Sequence, residues 1–154
     1  MPQKLAGMTI GGNSVKLVVL VLEDDKSFTF EDQTTFNLQA GSRPSAYCYI
    51  RDQINEYLRH RHVSCVGVKE SALSRSGMRM SHLYSAELRG VALAAAAAAC
   101  ENVKLTNKSQ VSKNFGERKV DEYLGDDKWW QERSLDSIQK GMREAAFAVI
   151  NHFA

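Results

Sequence analysis

Cationic side chains gather in two stretches of this sequence. Arg75 and Arg79 stand in a segment rich in serine, glycine and arginine that follows Glu70, and Lys104, Lys108 and Lys113 come further along. Flexible guanidinium and ammonium groups neutralise phosphates and release counterions, so the chemistry these residues point to is contact with a nucleic-acid backbone. A solvated surface would use the same residue types. The run Arg59-His60-Arg61-His62 sends its histidines in alternating directions, and basic charge at a helix end accounts for it better than a metal site. Trp129 and Trp130 offer faces for base stacking, or a hydrophobic lid or partner contact. No Walker loop, HExxH, GxSxG or CxxC pair occurs, which removes the commonest nucleotide-binding, zinc-protease, hydrolase and redox signatures.

The chain that must position these groups has 154 residues, 44% hydrophobic and 25% charged, which suits one packed domain over residues 1–154. A formal net charge of +2 is too small to imply nucleic acid unless the charge is clustered. The longest apolar stretch, Val91 to Cys100, is too short to cross a bilayer, and no membrane association is expected. The start, MPQKLAGMTI, lacks the apolar core of a secretory signal. Cys48, Cys65 and Cys100 are odd in number and widely separated, which argues for reduced thiols, a cytoplasmic setting and no thiolate metal site.

Lys4 to Ile10 and Val15 to Leu22 read as a hairpin turned by Gly11-Gly12-Asn13, followed by a third strand marked by Phe28, Phe30, Phe36 and Leu38. Pro44 opens a helix whose stripe is Tyr47, Ile50, Ile54, Tyr57 and Leu58. Val63 to Val68 suits a buried parallel strand. A helix from Ser81 runs through the alanines to Ala99, and Asn102 to Thr106 forms a brief last strand. Ser109 to Leu124 is expected as a helix stopped by Gly125, and Asp126 to Glu132 as a connecting loop. The final helix is expected from an N-cap at Ser134, with Leu135, Ile138, Met142, Ala145, Val149 and Phe153 as its buried stripe. The predicted class is α/β. It has a five-stranded mixed sheet, three antiparallel strands and then two parallel ones, with helices on both faces.

This order resembles the ribonuclease-H-like fold, including the RuvC-type resolvase superfamily. Leu5-Ala6-Gly7-Met8-Thr9 resembles the first strand of that superfamily, Val66-Gly67-Val68-Lys69-Glu70 its fourth strand with an acidic end, Ala86-Glu87-Leu88-Arg89-Gly90-Val91-Ala92 the following helix, and Asp136-Ser137-Ile138 the acidic start of the last helix. The chain is also similar to a bacterial family of small proteins of unknown function with the same fold. The resemblance implies a phosphodiester site in which carboxylates from separate elements hold Mg or Mn ions, hard cations that take oxygen ligands. Carried over by position, Glu70 and Asp136 would be catalytic and metal-binding, converging beside the end of the first strand, where Thr9 stands at the carboxylate position. A neutral hydroxyl does not replace a bridging carboxylate, so the enzyme assignment stays open. Glu70 as a strand-end charge, Asp136 as a helix-dipole residue and Thr9 as a β-branched strand residue are the plain alternatives. Glu144 is turned from the buried stripe by helical spacing and reads as surface.

Three functions follow as expectations. The first is a RuvC-like protein that binds DNA, RNA or a nucleoprotein partner, with weak or absent nuclease activity. The second is a divergent Mg/Mn-dependent nuclease using Glu70, Asp136 and a third ligand. The third is a protein-interaction module or homodimer that pairs through the alanine-rich helix or the Trp129-Trp130 segment. Acidic convergence at the Glu70 edge would favour the nuclease, a basic groove nucleic-acid binding, and an apolar patch a partner.

Overall fold

The strands at the centre of the sheet are apolar on both faces, and both faces are covered. In β1 (Gln3–Ile10) the run Leu5 to Met8 is wholly buried, and β2 (Ser14–Leu22) buries Leu17 to Leu20 without a break. Side chains still alternate: Leu5, Val18 and Leu20 enter one core, while Ala6, Met8, Leu17 and Val19 enter another on the opposite face. A computed structural model describes residues 1–70, 77–109 and 118–153. Its further elements are β3 (Phe28–Asn37), α1 (Arg43–His60), β4 (Cys65–Lys69), α2 (Met80–Ala99), β5 (Val103–Thr106), α3 (Val120–Leu124), α4 (Asp127–Glu132), a 3-10 turn (Lys140–Met142) and α5 (Arg143–Ile150).

The sheet order is β3-β2-β1-β4-β5, with β1, β2 and β3 antiparallel and β4 and β5 parallel to β1. The expected α/β architecture is therefore present. Helices α1 and α2 cover one face through Ile50, Ile54, Leu58, Leu88, Ala92 and Ala96. Alanines in α2 leave its carbonyls within reach of α1: Asn55 Nδ2 donates to Ala95 O at 3.1 Å and Arg59 donates to Ala98 O at 2.9 Å.

Helix α5 lies directly on the other face. Gly7 and Gly67 are partners across β1 and β4, and a Cβ on either would sit 1.7 Å from Ala145 O or 2.1 Å from Ala148 O. Only glycine leaves room for the helix backbone there. Around α5 gather Trp130, Phe147, Tyr123 and Trp129, with Trp130 Nε1 donating to Tyr123 O at 2.9 Å.

The C-terminal third departs from expectation in three places. Asp127–Glu132 is helix α4, not a loop, because Asp126 caps it by accepting from Trp129 N at 3.2 Å. Residues 110–117 of the expected Ser109 to Leu124 helix lie outside the described residues, and its end forms α3. The last helix does not start at Ser134, which has φ 56°; it begins at Arg143 after the 3-10 turn. Leu135 and Ile138 are buried as expected, but from an irregular segment whose backbone is paired by Gln33 of β3. Gln33 Nε2 donates to Ser137 O at 3.2 Å, and Gln139 N donates to Gln33 Oε1 at 3.0 Å.

Candidate nucleic-acid interface at the sheet edge

At the ends of β1, β4 and β5 the strand register aligns one row of side chains under the start of α5. Thr35 pairs with Lys16, Lys16 with Thr9, and Lys69 with Thr106, while the pairing of Met8 with Val68 places Thr9 beside Lys69. All share the face that Gly7 and Gly67 present to α5, because their positions differ from those glycines or their partners by two. Thr9 is thus flanked by two lysines, whose strands are about 10 Å apart across β1.

The lysine heads reach the start of α5. Lys69 Nζ lies 2.7 Å from Glu144 Oε1, and Lys16 Nζ donates to Gly141 O at 3.4 Å. Glu144 is therefore not a free surface charge but the half-buried partner of Lys69. Beside this pair lies a small pocket lined by Val120, Phe147, Asn107 and Lys108.

Glu70 follows Lys69 and so turns to the opposite face, toward α2. Its Oε2 accepts from Asn107 Nδ2 at 3.3 Å and its backbone N–H donates to Thr106 O at 2.7 Å. Arg89 of α2 donates to Lys69 O, and its second terminal nitrogen is buried without a partner among the described residues. Burial pulls the Arg89 pKa below its ordinary value, against the opposing pull of the Glu70 charge.

Asp136 is exposed, in a turn ahead of α5 rather than at its start. Its neighbour Ser137 is tied to Gln33 of β3, and β3 lies three strands from β4 in the sheet order, about 14 Å away. Glu70 and Asp136 are thus on separate parts of the molecule, and the acidic residue in the first turn of the last helix is Glu144. Of the cations, Arg79 is exposed at the head of α2, Lys104 sits 5.5 Å from the Phe153 ring, and Lys108 pairs with Asp121 at 3.0 Å. Arg75 and Lys113 lie outside the described residues. Trp129 and Trp130 are buried, which removes them as stacking platforms.

The donor set does not match a two-ion centre. Thr9 brings no charge, Glu144 is neutralised by an ammonium, and Lys16 and Lys69 offer N–H donors where a hard cation needs oxygen lone pairs. Among the described residues no three His, Cys, Asp or Glu side chains come together to hold a metal.

Sequence reasoning passed over Lys16, Lys69 and Arg89 as site residues. A usable signal existed for Lys16, a lone cation inside the apolar run Val15-Lys16-Leu17-Val18-Val19-Leu20.

Neither a protein-family model nor a curated relative matches the sequence. Solved structures do match. RuvC of Thermus thermophilus aligns over 97% of this chain and 93% of its own with TM-score 0.75 at 16% identity. The same organism's RuvC in complex with a Holliday junction substrate aligns over 97% and 92% with TM-score 0.74, also at 16% identity. The yeast mitochondrial Holliday junction resolvase Ydc2 aligns over 97% and 77% with TM-score 0.63 at 11% identity. The chain has the ribonuclease-H-like fold in its RuvC-type form.

Proposed function

We propose that this chain is a single-domain nucleic-acid-binding protein of RuvC type with weak or absent nuclease activity. The observation that carries the reading is the match of nearly the whole chain to a RuvC bound to a Holliday junction. The lysines around Thr9, under the start of α5, support it by giving the sheet edge a phosphate-binding character. Weak or absent cleavage is supported by the donor set among the described residues, in which a threonine and an ammonium–carboxylate pair stand beside Lys16. The three free cysteines suit a reducing cytoplasm.

Fluorescence anisotropy with labelled four-way junction, single-stranded DNA, duplex and RNA tests this. Binding should appear at low salt and weaken steeply as salt rises through counterion release. Arg75→Glu with Arg79→Glu should weaken it further. Absence of binding to every probe at low salt would refute the reading in favour of a protein-interaction module, and efficient junction cleavage with manganese would refute its second half.

A further inference from the structure

Resting on the nucleic-acid reading above, we propose that Lys16 and Lys69 hold a backbone phosphate over Thr9 and that this contact requires no divalent ion. The ammonium groups come from β2 and β4, on either side of Thr9 and on one face of the sheet. Each carries three N–H donors. The contact to Gly141 O uses one on Lys16 and the pair with Glu144 one on Lys69, so both retain donors for an anion. Thr9 adds a hydroxyl between them. An anion seated there meets two positive charges, with Glu144 the one carboxylate partner described in the row. A dication would meet the same two charges as repulsion. The places on either side of Thr9 are thus taken by cations built into the chain. Glu144 sets the strength of the contact by competing with phosphate for Lys69.

The experiment measures junction binding in EDTA and again with manganese. Affinity should be the same in both buffers. Lys16→Met should weaken binding about tenfold. Lys69→Met is combined with Glu144→Gln, so that no carboxylate is left unpaired, and should do the same; all variants together should lower the salt slope by about 2. Glu144→Gln alone should tighten binding severalfold. Thr9→Asp, whose carboxylate would be taken up by the two lysines, should weaken binding in EDTA and gain no extra thermal stabilisation from manganese. Binding only with manganese would overturn this proposal and leave the nucleic-acid reading standing, as would metal-free binding indifferent to Lys16→Met. A larger manganese-induced melting shift in Thr9→Asp than in the parent would also overturn it. No binding in either buffer would remove both.

Discussion

His152 stands with its Nε2 2.5 Å from Thr106 Oγ1, while that hydroxyl donates to Ala148 O at 3.0 Å. With its hydrogen on Ala148 O, the threonine oxygen has a lone pair free to accept from the ring. Burial, joined by the charge of Lys104, holds the imidazole pKa below its ordinary 6.5. The unfolded chain then takes up the proton first as pH falls, so stability is full above about pH 6.5 and declines below it, down to the folded pKa. Thermal melts should show a lower Tm at pH 5 than at pH 7.5, and His152→Gln should flatten that difference. Asp126 and Asp127 do not confuse the window. Their pKa values are held below 3.8 by bonds to Arg118 and Arg143 respectively, so their contribution is lost only in more acidic solution. Arg143 is a second test at this scale. Only 6% exposed, it donates to Leu124 O at 2.9 Å and to Asp127 Oδ1 at 2.8 Å. Arg143→Met should cost about 2 kcal/mol by leaving a part-buried carbonyl unpaired, read as a drop in denaturation midpoint. Asp127→Asn should cost far less, because that carboxylate is largely in water.

Among the elements, α5 depends on two missing side chains. Gly7→Ala or Gly67→Ala would drive a methyl group into helix backbone and should destabilise the fold by about 3 kcal/mol, measured by urea unfolding. The strands and first two helices were legible in the sequence because their apolar periodicity runs unbroken from Leu5 to Ala99 apart from turns and the loop after Glu70. The end of the chain was less so. Leu135 and Ile138 are spaced like a helical stripe, but the left-handed backbone at Ser134 and the Gln33 bonds hold that segment out of helix. The candidate site was legible only in part for a related reason. Lys69 and Glu70 are neighbours in sequence, and strand register sends them to opposite faces, so the carboxylate read as catalytic turns toward α2 while the lysine enters the row. Trp129 and Trp130 looked like contact residues until the Asp126 cap turned them into the core.

At the scale of the whole molecule, no helix among the described residues is long and apolar enough to cross a membrane. The two cores on opposite faces share one sheet, so one cooperative unfolding transition is expected, with circular dichroism and tryptophan fluorescence giving the same midpoint. Two populations of melting would contradict this. The way α5 closes the lysine row also has a kinetic side. The contact between Lys16 and Gly141 spans 125 residues, and that between Lys69 and Glu144 spans 75. Loops of that length close late, and folds dominated by such contacts form in milliseconds to seconds rather than microseconds. During synthesis, β1, β2 and β4 can pair with one face already covered by α1 and α2 while the face of Leu5, Val18 and Cys65 still waits for α5. The nascent chain therefore carries a sticky, half-finished sheet until α5 leaves the ribosome, and the lysine row becomes complete only at that moment.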